Sequence, residues 1–201
     1  MVRHPSILLI EDSSGERELF RLALKQTGLE IALFTEQDAE AAFHFLEDQC
    51  SFQARSCSSS EGGLNWSPTA RTFSPAQPQA RQDAPFPEEA HSDRAASASK
   101  GDQSGYPSPL PSLILLDWHL GKQRGDEFLK RLRTDSRLAT IPVVVFTTSD
   151  DASDLSLAYA GGANGYVMKP GTFDDLIQCT GDICRFWLAR NLAPHMVETK
   201  C

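Results

Sequence analysis

The chain has no apolar run long enough to cross a bilayer, which takes about 20 residues. Its apolar runs are short, and acids close the first, Ile7-Leu8-Leu9-Ile10, at Glu11 and Asp12. The start, Met1-Val2-Arg3-His4-Pro5, has no long apolar region behind it, so neither a signal peptide nor a membrane helix is expected. Positive charge is also scarce: 19 Lys and Arg face 27 Asp and Glu, for a net charge of -8. A nucleic-acid surface needs clustered Lys and Arg, so that function is not expected. The same excess leaves room for a divalent cation, which carboxylates attract. The five cysteines are odd in number and lack both Cys-x-x-Cys and paired Cys/His ligand spacing. A disulfide framework or structural zinc is therefore not expected, and a reduced, cytoplasmic setting fits best.

What is present alternates. Ile7–Ile10 reads as a strand, followed by turn and N-cap chemistry at Ser13-Ser14-Gly15. A helix carries Leu19, Phe20, Leu22, Ala23 and Leu24, with Gly28 as its stop. Ile31-Ala32-Leu33-Phe34 reads as a second strand, and Asp38 can cap a helix carrying Ala41, Ala42, Phe43, Phe45 and Leu46. From Cys50 to Pro111 the texture changes. Eight of the twelve prolines fall between Pro68 and Pro111, and apolar residues stand mostly alone. Such a segment buries too little to offset its ordering entropy, so residues 50–111 are expected to be a disordered insertion. The alternative is a docking segment, with Pro107-Ser108-Pro109-Leu110-Pro111 as polyproline II.

Order resumes at Leu113-Ile114-Leu115-Leu116, an apolar run that stops on Asp117. A loop with Gly121 and Gly125 leads to a helix with Phe128, Leu129 and Leu132. A fourth strand, Ile141 to Phe146, closes on Thr147-Thr148-Ser149. Asp150-Asp151 opens a helix that Gly161-Gly162 ends. A fifth strand, Gly165-Tyr166-Val167-Met168, ends at Lys169-Pro170, and Thr172 caps a last helix reaching Phe186, Trp187 and Leu188. Five strands alternating with helices predict a parallel sheet covered on both faces, built from two segments, 1–49 and 112–201, on either side of the insertion.

In such a sheet all strand C-termini share one edge, where ligands bind. That edge would collect Glu11, Asp12, Asp117, Thr147 and Lys169. Three carboxylates packed together repel, and one would stay protonated unless a cation neutralised them. An all-oxygen donor set with open positions suits Mg²⁺ together with a phosphate. Asp117 is then a candidate nucleophile for phosphoryl transfer, with Lys169 and the Thr147 hydroxyl offsetting phosphoryl charge. Singly, each residue has a plainer role: a solvated lysine, a strand-end threonine, acids that cap a helix.

Together, Leu8-Leu9-Ile10-Glu11-Asp12, Leu113 to Asp117, Val143 to Ser149 and Gly162 to Pro170 resemble the response-regulator receiver domain of bacterial two-component signalling. The resemblance implies a flavodoxin-like, doubly wound α/β fold with five parallel strands in the order 2-1-3-4-5. It implies Glu11 and Asp12 as metal-site acids, Asp117 as the phosphorylated residue and the backbone carbonyl of His119 as a further metal ligand. It also implies Thr147 as switch hydroxyl, Tyr166 as rotating aromatic, Lys169 as phosphate partner, and a cis bond at Lys169-Pro170. His119 and Ser149 would tune phosphoryl lifetime. Thr147-Thr148-Ser149 and Ala158 to Asn164 look like single-domain regulators paired with phytochrome-type histidine kinases. Gly121 stands where the family often has Pro, and Ser13-Ser14 replace its usual Asn-Pro.

The implied function is a non-enzymatic phosphoacceptor, taking phosphoryl groups from a histidine kinase and slowly losing them, with output through protein contacts. No helix-turn-helix follows the last helix, so output is expected from the receiver itself, on the fourth helix, fifth strand and fifth helix, which could also form a homodimer. Two other readings stand beside it. One is an adaptor that keeps the fold without phosphorylation. The other is a phosphotransferase of the haloacid-dehalogenase type, whose Asp-x-Asp at the first strand is missing here.

Overall fold

In the computed structural model, residues 5–58, 110–121 and 123–191 are described, 52–58 by their backbone alone. The elements run β1 (Ser6–Ile10), α1 (Ser14–Gln26), β2 (Ala32–Glu36), α2 (Ala39–Ser58), β3 (Leu113–Leu116), β4 (His119–Leu120), β5 (Gln123–Arg124), α3 (Gly125–Thr134), β6 (Val143–Thr147), α4 (Ala152–Ala160), β7 (Gly165–Met168) and α5 (Phe173–Ala189). They belong to one unit assembled from described residues on both sides of the insertion.

Five strands form a parallel sheet in the order β2-β1-β3-β6-β7, which is the expected flavodoxin-like order. The side-chain period of two divides each central strand between two cores. Leu8, Ile10, Ile114, Leu116, Val143 and Val145 face α2 and α3, meeting Ala42, Phe43, Leu46, Phe128, Leu129 and Leu132. Ile7, Leu9, Leu113, Leu115, Val144 and Phe146 face α1 and α5, meeting Phe20, Leu24, Ile183 and Cys184. Burial on both faces is why these strands read as unbroken apolar runs.

The helix ends follow their sequence signals. The Ser13 hydroxyl accepts from the Glu16 amide at 3.3 Å, and a Thr172 hydroxyl caps α5 in the same way at 3.2 Å from Asp175. Asp38 and Asp151 accept amides at 2.8 and 2.7 Å at the starts of α2 and α4. Gly162, just past α4, has φ +94°, a conformation that costs a side-chain-bearing residue.

Three expectations need correction. α2 does not stop at Gln49 but continues to Ser58. Cys50 is buried one helical turn beyond Leu46, so the apolar face carries the helix into what composition alone assigned to the insertion. The rest of that insertion, 59–109, lies outside the described residues, as do both of its proposed roles. Second, the loop after Asp117 is an antiparallel hairpin, with His119 opposite Arg124 and Leu120 opposite Gln123. Two-residue strands are too short to show an alternation in sequence. Third, no peptide bond among the described residues is cis, so Lys169-Pro170 is trans, the lower-energy form of such a bond.

Candidate phosphoacceptor and metal site

The C-terminal ends of β1, β3, β6 and β7 bring the predicted residues together. Asp117 directly follows β3, and its amide donates to the Ile10 carbonyl at 2.9 Å, tying it to the end of β1. Glu11 and Asp12 directly follow β1. Ligating oxygens of Glu11, Asp12 and Asp117 all lie within 4.8 Å of one another. Glu11 and Asp117 are buried at 2% and 8% exposure, while Asp12 is exposed to solvent. Two inner acids and one outer acid, all oxygen donors, fit a hard divalent cation that keeps part of its water shell.

Lys169, at the end of β7, answers the acids. Its Nζ is 2.5 Å from Glu11 Oε2 and 3.6 Å from Asp117 Oδ1, and it also donates to Glu16 in the first turn of α1. Burial raises Glu11 above the ordinary glutamate range, and the nearby Asp117 charge adds to this against the pull of Lys169. Burial alone would lower Lys169, but the hydrogen bonds of Glu11 and Glu16 and the charge of Asp117 outweigh it and hold the ammonium above its usual value. The Arg17 guanidinium donates to the backbone carbonyls of Glu11 and Asp12 and so fixes the turn that carries both acids.

Thr147 closes β6 and is almost fully buried. Its hydroxyl accepts from the Ser149 amide at 3.3 Å, and its carbonyl accepts from the Lys169 amide at 2.8 Å. The Tyr166 hydroxyl donates to the Ser149 carbonyl at 2.9 Å, while its ring packs on the core beside α4. Burial raises the Tyr166 phenol, so it stays a donor at neutral pH. His119 opens the hairpin and is largely exposed, with Nε2 3.4 Å from Asp154 Oδ2. The Ser149 hydroxyl donates to the same oxygen at 2.7 Å.

Sequence reading missed Glu16, Arg124 and Asp154. Glu16 lies in the first turn of α1, where the helix dipole alone would account for an acid. Asp154, in the first turn of α4, carries no distinguishing local signal. Nothing local in the chain shows that it is buried or that Arg124 reaches Oδ1 at 2.6 Å from 30 residues away.

A five-stranded doubly wound sheet with acids from β1 and β3, a hydroxyl from β6 and a lysine from β7 on one edge defines a response regulator receiver. That domain is the phosphoryl-accepting module of two-component signalling, and part of this chain matches it. Residues 90–180 match the response regulator receiver domain model. The Glu11–Asp12 pair lies outside that match and reaches the site through the fold. Response regulator Rcp1 of Synechocystis is 27% identical over 182 residues, 90% of this chain and 88% of that protein. The probable methanogenesis regulatory protein FilR2 of Methanothrix harundinacea is 42% identical over 85 residues, but these cover 42% of this chain and 55% of that protein. Among solved structures, Mn²⁺-bound Rcp1 superposes with a TM-score of 0.59 at 26% identity, covering 94% of this chain and 99% of that one. The phosphorylated cyanobacterial phytochrome response regulator RcpA gives 0.61 at 24% identity, covering 95% and 99%. Among the described residues no helix is long and apolar enough to cross a membrane.

Proposed function

We propose that this response regulator accepts a phosphoryl group on Asp117 from the phosphohistidine of a histidine kinase, with Mg²⁺ at the Glu11–Asp12–Asp117 cluster. An Asp117 carboxylate oxygen attacks phosphorus, the P–N bond breaks, and the imidazole leaves and regains a proton. The cation, when bound, neutralises charge on the acids and on the transferring oxygens. Glu11, Asp12 and Asp117 supply its carboxylate ligands, and the His119 backbone carbonyl a neutral one. Lys169 then exchanges a carboxylate for a phosphoryl oxygen, and Thr147 donates its hydroxyl to another. The observation that carries this reading is the meeting of three carboxylates within 4.8 Å with Lys169 beside them.

Output follows from the links already present. Thr147, Ser149 and Tyr166 form one hydrogen-bonded chain, so a pull on Thr147 shifts the surface of α4, β7 and α5. Leu155, Tyr159, Met168 and Phe186 are exposed on those elements, which supports a homodimer or a partner protein on this face. Trp187 and Leu188 instead pack on the core, so of the three only Phe186 turns outward. Similar structures include phytochrome and bacteriophytochrome response regulators, which supports a phytochrome-type kinase as donor. The proposed setting is the cytoplasm, where a kinase partner would act, and the chain's acidic charge favours protein partners over nucleic acid.

Intact-mass spectrometry after incubation with acetyl phosphate and Mg²⁺ tests the reading. A gain of one phosphoryl group in the wild type, absent from Asp117→Asn and from metal-free samples, is expected. No gain by folded, Mg²⁺-supplied protein would sink it and favour a phosphorylation-independent adaptor.

A further inference from the structure

One buried carboxylate has no part in the chemistry described so far. Asp154 lies in the first turn of α4 and is 5% exposed. A carboxylate held out of water needs charged or hydrogen-bonding partners, and this one has three. Ser149 Oγ donates to Oδ2 at 2.7 Å, His119 Nε2 lies 3.4 Å from the same oxygen, and the Arg124 guanidinium donates to Oδ1 at 2.6 Å.

The origin of these partners matters more than their number. His119 stands two residues after Asp117, and Arg124 faces it across the β4–β5 hairpin. Ser149 stands two residues after Thr147. β3 and β6 are neighbours in the sheet, so the segments following Asp117 and Thr147 leave it side by side. Asp154 ties these two segments together, and the Tyr166 hydroxyl joins the same knot through the Ser149 carbonyl.

We propose that Asp154 is a positioning residue for phosphoryl lifetime. It holds His119 and Ser149 as a closed pair beside the phosphoacceptor and restricts the approach of water. This rests on Asp117 as the phosphorylated residue. In hydrolysis a water oxygen attacks phosphorus, the acyl O–P bond breaks, and Asp117 carboxylate and inorganic phosphate result, with the water's proton released to solvent. Freeing His119 and Ser149 opens that approach, so the phosphoryl group is lost sooner. Arg124 neutralises the buried charge and anchors the hairpin, leaving Oδ2 to the other two.

The test uses the full chain loaded with acetyl phosphate and Mg²⁺, freed of donor by rapid desalting and followed by intact mass. Asp154→Asn keeps the side-chain shape and removes the charge. It is expected to shorten phosphoryl lifetime about fivefold, the rate equivalent of one net hydrogen bond. In a His119→Ala/Ser149→Ala background the same substitution is expected to change the lifetime by less than about twofold, because its route of action is gone. A general loosening of the fold would act equally in both backgrounds, and that result, or an unchanged lifetime in Asp154→Asn, overturns the proposal. Should Asp154→Asn unfold, the single His119→Ala and Ser149→Ala variants carry the test. Non-additive effects on lifetime support a shared anchor, and additive ones overturn it. A wild-type chain that never loads defeats the Asp117 reading itself, whereas a loaded chain indifferent to Asp154 defeats this proposal alone.

Discussion

Lys169 Nζ lies 2.5 Å from Glu11 and 3.6 Å from Asp117, so in the resting site the lysine is paired with Glu11 rather than with Asp117. Glu16 holds it there from α1, and Glu16 is itself partly exposed. Under the proposed function, phosphorylation of Asp117 draws Lys169 across from these partners. Glu16→Gln removes one of them together with a negative charge facing the incoming phosphodonor. Phosphorylation by acetyl phosphate is expected to speed up about threefold, in keeping with about 0.5–1 kcal/mol for a partly exposed ion pair. A rate equal to or below wild type, at saturating Mg²⁺, would show that Glu16 does not restrain the lysine.

Metal binding should be readable as stability. A ligand that binds only the folded state adds RT ln(1 + [L]/Kd), about 2.7 kcal/mol at a hundredfold excess over Kd. Mg²⁺ or Mn²⁺ is therefore expected to raise the midpoint of thermal unfolding by several degrees. Asp12→Asn, which removes the outer acid, should abolish most of that rise with little effect on the metal-free midpoint, since Asp12 is exposed. An equal rise in both proteins would place the cation elsewhere.

Gly125 opens α3 against the indole of Trp118, which is fully buried. A Cβ there would come within 2.8 Å of Trp118 Cε3 and 3.2 Å of Leu116 Cδ2. The ring cannot move without disturbing the residue next to Asp117. Gly125→Ala is expected to cost about 1–3 kcal/mol in chemical denaturation, the range for overpacking a core. A cost below about 0.5 kcal/mol would mean the indole has room to shift.

Burial in the core beneath α5 raises the Cys184 thiol from 9.0 to about 11. Its folded-state value lies above its unfolded one, so its contribution is fully present below pH 9 and is lost as pH rises toward 11. Unfolding free energy should decline across that window, and Cys184→Ala should remove part of the decline. Below it, the peptide carrying Cys184 should resist alkylation in the folded protein and react on unfolding. Equal labelling in native and denatured samples at pH 8 would contradict the burial.

Much of this protein was written locally. The apolar runs at Ile7–Ile10, Leu113–Leu116 and Val143–Phe146 could only be strands buried on two faces, and Ser13, Asp38, Asp151 and Thr172 marked helix starts by side-chain chemistry alone. Given a parallel sheet, all strand C-termini share one edge, so Glu11, Asp12, Asp117, Thr147 and Lys169 are expected to meet there from the sequence alone.

What the tertiary structure alone decided are contacts that have no period and no short spacing. Composition could not show that α2 runs on past Cys50, because a single buried thiol in a polar stretch becomes visible only once the sheet is beneath it. Glu16 and Lys169 are 153 residues apart, and Arg124 and Asp154 are 30 apart. Such pairs are set by how helices pack over the sheet rather than by local propensity. The sequence by itself settled which groups stand at the strand ends; packing settled which of them the lysine holds at rest, and tied the hairpin after Asp117 to α4 through one buried carboxylate.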